Sequence, residues 1–162
     1  MMDESCAPKS PFTRILFYTD FSRDADRAFD YAIDAVVRRP DSTLFLLHVI
    51  PEPEAQFWKT YIYEVDGVDE KAKADIDAKL AHSYLPRVPP GVDLKVEIRV
   101  GRDELRILEF AREQAIDLII LGRRSTTAFE KMLFGGVTER VARKAPCPVL
   151  VIPSSLAEPA RP

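Results

Sequence analysis

Cysteine and histidine are scarce in this chain of 162 residues, in which each occurs only twice. Cys6 and Cys147 lie far apart and form no Cys-x-x-Cys pair, which excludes a disulfide framework and favours reduced thiols. His48 and His82 alone give a histidine-based metal site too few ligands. We therefore expect no protein-bound metal, and a chain of this length needs none to bury a stable core.

Long apolar runs and a strong charge of one sign are also absent. The longest apolar run, TLFLLHVI, is far shorter than the ~20 residues that span a bilayer, and the N-terminal segment lacks the apolar core of a secretory signal. The chain has 23 basic and 26 acidic residues, a net charge of −3. This balance disfavours nucleic-acid and anionic-membrane partners. Together these absences predict a cytoplasmic protein.

Several catalytic motifs are missing too. We find no Gly-x-Ser-x-Gly elbow, no phosphate-binding P-loop and no His-Glu-x-x-His pair in the sequence, each of which would indicate a particular enzyme class. Apart from Asp20, the candidate loops described below carry no catalytic base. The sequence therefore gives no positive indication of an enzyme.

What the sequence does contain is an alternation of apolar runs and amphipathic stretches. Five runs predict strands at residues 15–19, 43–49, 92–100, 118–121 and 149–152. Between them apolar residues recur every three or four positions, the spacing of a buried helix face. Ser22 is a predicted cap of the first helix. The predicted helix faces are Ala25, Ala28, Phe29, Ala32, Ile33 and Val36; Ala72, Ile76 and Leu80; Leu105, Leu108, Ala111 and Ala115; and Val137, Val141 and Ala145.

This alternation predicts an α/β fold with an open five-stranded parallel sheet, Rossmann-like, and helices on both faces. The third strand alternates apolar and charged residues from Val92 to Val100 and is predicted at a sheet edge. We expect one domain over residues 13–153, between flexible tails at 1–12 and 154–162.

Two loops are candidate binding sites. Ligands of open α/β sheets bind beyond the carboxyl ends of the strands, where the strand order reverses. The predicted loops there begin at Thr19 and at Gly122, and Gly135-Gly136 opens the fourth helix, where free N–H groups favour an anion. Residues 122–144 carry six basic and two acidic residues. This excess of basic residues is equally typical of a solvent-exposed helix face without a ligand.

The chain resembles a universal stress protein domain from about Arg14 to Pro153. The resemblance rests on ILFYTDFSRDADRAFDYA, LLHVI and DLIILGRR…FGGVTERVARKAPCPVLVIP, in the family's order and spacing. It implies the adenine nucleotide alpha hydrolase-like form of the Rossmann-like sheet. It also implies a regulatory protein of the stress response.

The family's nucleotide-binding branch carries Gly-x-x-Gly, nine residues, then Gly-Ser or Gly-Thr. This chain keeps the spacing, but Ser125 replaces the second glycine and Gly136 replaces the hydroxyl residue. The resemblance implies that Asp20 binds adenine, that the Val49 backbone lines the base, and that ATP or AMP is the ligand, with Mg²⁺ held only through its phosphates. The remaining implied site residues are Tyr18, Thr19, Leu121, Gly122, Arg124, Ser125, Gly135, Gly136, Val137 and Thr138.

Each candidate has a structural alternative. For Asp20 the alternative is that it only helps Ser22 to cap the first helix. His48 on a buried strand is better explained as a core histidine with its hydrogen bonds satisfied, and Cys147 between two prolines as a packing residue. An aromatic cluster after the second strand indicates local core or a dimer contact rather than a lid or a partner patch: Phe57, Trp58, Tyr61 and Tyr63.

Three functions follow from these patterns. The first is a regulatory module that binds an adenine nucleotide, with at most slow hydrolysis of ATP, and acts through dimerisation and protein partners. The second is a stress protein that binds no nucleotide and acts only through protein contacts. The third is an enzyme on a related fold, such as a nucleotidyl transferase or an electron-transfer flavoprotein subunit.

The fifth strand predicts how such a dimer would form. It is apolar on both faces, carries no protecting charge and, by resemblance, lies at a sheet edge. We expect a homodimer through this strand, since the proline-rich C-terminal tail makes a poor cover. The residues involved are Val149, Leu150, Val151 and Ile152.

Overall fold

The computed structural model describes residues 11–51, 68–123 and 136–153, and of residues 68–70 only the backbone. In these residues β1 (Arg14–Thr19), α1 (Arg23–Val37) and β2 (Thr43–Pro51) are followed by α2 (Val68–Ser83), a short 3₁₀ turn (Leu85–Arg87) and β3 (Asp93–Gly101). The chain continues through α3 (Asp103–Glu113), β4 (Leu118–Gly122), α4 (Val137–Lys144) and β5 (Val149–Ile152).

The strands form one sheet in the order β3-β2-β1-β4-β5, and all four neighbouring pairs are parallel. The predicted fold class is confirmed, with β3 and β5 at the two edges. The order reverses between β1 and β4, so the candidate loops after these strands flank the reversal point. This is the position at which open α/β sheets bind their ligands.

Apolar residues on the two faces of the sheet build two separate cores. The first contains the α1 face together with Ile76, Leu80 and Tyr84 of the second helical region. The second lies beneath α3 and α4 and contains Tyr18, Val49 and Leu121 from the strands. The predicted face of α1 is confirmed, and that of α2 is confirmed for Ile76 and Leu80, which pack in the first core; Ala72 is only partly buried. Helices cover both faces, as the continuous apolar strands require.

Two details of the predicted packing are wrong. Leu105 is 51% exposed, and Ala115 lies beyond the end of α3 in the left-handed region, with φ 49°. The buried face of α3 instead includes Glu104, Ile107, Leu108, Phe110 and Ala111. Glu104 occupies a buried position because two arginines neutralise its charge, a pairing described below.

In the third strand, too, the exposure of the side chains does not follow the regular alternation of apolar and charged residues. Val96 and Val100 are 41% and 40% exposed, whereas the Arg99 side chain is only 22% exposed. Arg99 lies over the Phe110 ring at 5.2 Å and donates to Glu113 at 2.7 Å, so α3 covers the charged face. Among the described residues, the first core reaches Leu94 and Ile98 of the opposite face. The alternation of apolar and charged residues in the sequence therefore gave a wrong prediction of which β3 residues are exposed.

The described part of the chain, residues 11–51, 68–123 and 136–153, holds no helix both long and apolar enough to cross a bilayer. Residues 1–10 and 154–162 of the predicted tails lie outside it. So do the aromatic residues Phe57, Trp58, Tyr61 and Tyr63.

Candidate functional site at the carboxyl edge of the sheet

The loop from β1 to α1 is stabilised by side chains that satisfy its own backbone. The Thr19 hydroxyl accepts from the Phe21 N–H at 2.9 Å, and Asp20 Oδ1 accepts from the Ser22 N–H at 2.9 Å. Ser22 Oγ then accepts from the Ala25 N–H at 3.2 Å, which confirms the predicted helix cap. The loop thus begins α1 immediately beyond the centre of the sheet.

Asp20 makes the contact that the capping interpretation requires. Its Oδ1 accepts from Ser22, and within the described part of the chain no hydrogen bond to Oδ2 is present. A carboxylate has acceptor sites on both oxygens, so a second donor would find one available. The capping role and the predicted adenine role are therefore compatible, and the adenine role stays a prediction.

Gly122 ends β4 at the point where the first turn of α1 passes closest. A Cβ at this position would collide with the Asp24 carbonyl and lie 2.9 Å from the Ala25 nitrogen. Continuing the β1–β4 register from Phe17↔Ile120 places Gly122 level with Thr19. A glycine is therefore needed here for packing, whether or not the position also approaches a ligand.

The N-terminus of α4 faces the same strand end. Gly136 is the N-cap residue, with φ −63° and ψ 167°, and no side chain caps the helix there. Among the described residues, no atom lies within 4 Å of a Cβ placed at Gly136. The Thr138 hydroxyl donates to the Gly122 carbonyl at 3.4 Å. The first-turn N–H groups of α4 thus begin beside the end of β4, and no described atom crowds the N-cap.

The structure brings several other predicted site residues to this edge. Val49 and Leu121 are buried at 2% and 1% exposure, and Thr19 is the fully buried end of β1. Tyr18 belongs to the core beneath α3 and α4, and Val137 packs partly against it. Arg124, Ser125 and Gly135 lie outside the described residues.

The core interpretation of His48 holds only in part, because the residue is half-buried and belongs to neither core among the described residues. Its Nδ1 lies 2.9 Å from the Thr19 carbonyl; because a carbonyl only accepts, Nδ1 carries the hydrogen. The ring packs against Phe21 with centroids 4.6 Å apart. Burial lowers the pKa of His48 below its usual value, although the hydrogen bond to Thr19 works in the opposite direction. A neutral, half-buried histidine results.

Cys147 is half-buried against the core beneath α3 and α4. Burial, with a smaller contribution from the charge of Asp117, raises the pKa of its thiol. A raised pKa lowers the thiolate fraction and therefore the reactivity. The geometry agrees with the packing interpretation.

Sequence reasoning missed two carboxylates at the start of α3. The Tyr18 hydroxyl donates to Asp103 Oδ2 at 2.8 Å, and burial raises the pKa of Asp103. Glu104 accepts from Arg102 at 2.8 Å and from Arg140 at 3.1 Å. The contacts of Tyr18 with Asp103 and of Arg140 with Glu104 join residues far apart in sequence, and the local pattern around Asp103 gave no signal of them.

A third missed residue is Tyr84, which follows α2. It is fully buried, and its hydroxyl shares a 2.6 Å hydrogen bond with the Thr19 hydroxyl. A signal for it existed, because Tyr84 continues the four-residue spacing of Ile76 and Leu80. It therefore belongs to the loop described above although it comes from a different part of the chain.

Comparisons with known proteins agree on one family. The model of the universal stress protein family matches residues 11–153. The universal stress protein MJ0531 of Methanocaldococcus jannaschii is 42% identical over 149 residues, covering 87% of this chain and 82% of that protein. MJ0577 of the same organism is 30% identical over 154 residues, covering 87% of this chain and 94% of that protein.

Solved structures show the same fold. The structure of MJ0577 superposes with a TM-score of 0.69, covering 90% of this chain and 99% of that one at 30% identity. A universal stress protein family member from Arabidopsis thaliana, solved with AMP bound, gives a TM-score of 0.55 at 21% identity, covering 87% of this chain and 91% of that one. The sequence motifs, the strand order and these matches together show that the chain belongs to the universal stress protein family.

Proposed function

We propose that this chain binds an adenine nucleotide, AMP or ATP, at the carboxyl edge of its sheet and acts as a regulatory module. The observation that carries the proposal is the meeting of three elements at Gly122: the end of β4, the first turn of α1 and the N-terminus of α4. This meeting gives one small region a carboxylate on one side and free helix N–H groups on the other.

The residues there fit a nucleotide at both of its ends. Asp20 retains an acceptor for the adenine amino group, and the buried Val49 backbone lies one residue beyond the His48 that pairs with Thr19. No atom of the described residues crowds Gly136, so the N-terminus of α4 can receive phosphates there, with Val137 and Thr138 supplying N–H donors. We assign Gly122 and Arg124 to ribose and phosphate, and Gly135 to the phosphate cradle. Any Mg²⁺ would be held through the phosphates alone.

A protein of the same fold from Arabidopsis was solved with AMP bound, which supports an adenine nucleotide as the ligand. We further propose that the bound nucleotide signals the regulatory state of the protein in the cytoplasm, and that any hydrolysis of ATP is slow. This part of the proposal rests on the resemblance to the universal stress protein family.

Calorimetric titration with AMP, ATP and GTP tests the proposal. The wild-type chain should bind AMP and ATP. Asp20→Ala should lower the affinity for both and leave the affinity for GTP unchanged, because guanine lacks the 6-amino donor. Ser22→Ala is the matched control: it removes the helix cap and keeps the carboxylate, so nucleotide affinity should persist. Absence of AMP and ATP binding by the wild type, together with no co-purifying nucleotide in mass spectra of the denatured protein, would favour the module that acts through protein contacts alone.

We also propose a homodimer through β5. Among the described strands, β5 pairs only with β4, and Leu150 is 41% exposed on it. Pairing with the same strand of a second copy would cover this apolar edge. Light scattering should give a dimer mass for the wild type and a monomer mass for Leu150→Lys, whereas Val37→Lys, at a position 51% exposed on α1, should stay dimeric. A monomeric wild type at micromolar concentration contradicts the dimer.

A further inference from the structure

Thr19 is held in place by hydrogen bonds from three parts of the chain. Its hydroxyl accepts from the Phe21 N–H within the loop and shares a 2.6 Å hydrogen bond with Tyr84 beyond α2. Its carbonyl accepts from His48 of β2. Thr19 immediately precedes Asp20, so whatever fixes Thr19 also limits where the Asp20 side chain can be.

Tyr84 is itself held rigidly. Its ring is fully buried and packs edge-on against Phe29 at 4.7 Å and Phe17 at 5.6 Å between centroids. Its backbone N–H donates to the Leu80 carbonyl at 3.0 Å. Burial raises the pKa of Tyr84 far above the physiological range, so the hydroxyl stays protonated. Tyr84 therefore offers Thr19 a fixed, uncharged partner.

The loop needs such a partner because its backbone is strained at Phe21. The φ of Phe21 is 62°, in the left-handed region that residues with a Cβ rarely occupy. This conformation persists only where surrounding contacts enforce it. The contacts that hold it include the Thr19–Tyr84 pair and those of the Phe21 ring, which packs against His48 and, at 6.0 Å, against Tyr84, and lies 5.5 Å from the Lys79 ammonium.

We propose that the Tyr84 hydroxyl, through Thr19, positions Asp20 for the 6-amino group of adenine and so sets selectivity for 6-amino purines, a role that rests on the proposed nucleotide function. Tyr84 is a positioning residue, since it is buried beneath the loop and acts on the ligand only through Thr19 and Asp20. Removing the Tyr84 hydroxyl should reduce the selectivity for 6-amino purines, whereas the packing of the ring should be unchanged.

The test compares AMP with IMP, which carries a carbonyl where AMP carries the amino donor. Tyr84→Phe should raise the Kd for AMP about fivefold, the effect of one hydrogen bond, and leave the Kd for IMP unchanged. In an Asp20→Ala background the same substitution should have no further effect, because the two residues act in series. Tyr31→Phe on α1, 42% exposed, is the matched control and should change neither Kd.

A second readout needs no ligand. Amide hydrogen exchange at Phe21 and Ser22 should accelerate in Tyr84→Phe and in Thr19→Val, and return to the wild-type rate in Thr19→Ser, which keeps the hydroxyl. Equal weakening of AMP and IMP, additive effects with Asp20→Ala, or unchanged loop exchange would each overturn the positioning role while the proposed function stands. If the wild type binds neither nucleotide, the proposed function is wrong and the selectivity role falls with it.

Discussion

Arg140 of α4 donates to the carboxylate of Glu104 on α3 at 3.1 Å, which joins the two helices on one face of the sheet. Arg102 donates to the same carboxylate oxygen at 2.8 Å. The Glu104 side chain is only 10% exposed, so its charge depends on these two partners. The N-terminal half of α4, which we assign to the phosphates, is thereby tied to the start of α3.

Glu104→Gln should lower the free energy of unfolding at neutral pH by about 1.5–3 kcal/mol, the usual range for a hydrogen bond to a charged group. Burial alone would raise the pKa of Glu104, but its backbone N–H, Arg102 and Arg140 outweigh that effect and lower it below 4.5. The stabilisation is therefore complete above about pH 4.5 and is lost as the pH falls through the lower, folded-state pKa. Urea unfolding of both proteins at several pH values measures the difference.

Glu113→Gln provides the matched control. Glu113, at the end of α3, pairs with Arg99 of β3, and its own side chain is 45% exposed. Exposed pairs contribute little to stability, so this variant should unfold close to the wild type. A loss in Glu113→Gln as large as that in Glu104→Gln would show that burial of Glu104 is not the cause.

His48→Gln should remove part of the acid sensitivity of the fold. The pKa of His48 is lowered below 6.5, chiefly by burial, so the unfolded chain binds a proton more readily than the folded chain does. Stability therefore falls as the pH drops from about 6.5 towards the folded-state pKa. Urea unfolding between about pH 5 and 7.5 should show a smaller decrease in the variant than in the wild type.

The other histidine of the chain is the control for this prediction. His82→Gln, at an exposed position of α2, should keep the pH dependence of the wild type. Equal pH dependence in His48→Gln and His82→Gln would mean that the burial of His48 does not govern its titration.

Gly122→Ala should destabilise the fold, by about 1–3 kcal/mol as for other overpacked sites. The added methyl group would meet the backbone of Asp24 and Ala25, which cannot rotate away as a side chain would. Thermal unfolding followed by circular dichroism measures the effect. An unchanged midpoint would show that α1 moves freely relative to β4, contrary to the packing described.

Gly136→Ser should be tolerated and stabilising by a few tenths of a kcal/mol, roughly the preference for serine over glycine at an N-cap. No atom of residues 11–51, 68–123 or 136–153 crowds the site, and Glu139 occupies the third position of α4, where it completes a capping box with a serine N-cap. The variant also restores the hydroxyl expected from the family pattern. The Kd for AMP, measured by calorimetry, should therefore fall about fivefold. An unchanged Kd would mean that the hydroxyl contributes nothing at this position.

Sequence periodicity predicted the strands and their helices because burial on two sheet faces demands continuous apolar runs. The contacts of Glu104 were not predictable in this way: a glutamate within a helix pattern is ordinarily exposed, and its partner Arg140 follows 36 residues later. The burial of Tyr84 was predictable, because the residue continues the apolar spacing of α2. Its hydrogen bond to Thr19 was not, because that bond depends on how α2 packs. The left-handed Phe21 carries no local signal, since no glycine or asparagine marks the position.

The central position of β1 also constrains how the chain can fold. One of its long edges pairs with β2, but the other pairs with β4, and Ile15 meets Leu118 across about 100 residues of intervening chain. Contacts so distant in sequence are slow to form. During synthesis from the N-terminus, β1, β2 and β3 become available first, and one edge of β1 stays unsatisfied until β4 has left the ribosome. The same edge that later supports the candidate site is thus the last part of the sheet centre to close, and the nascent chain exposes it for longest.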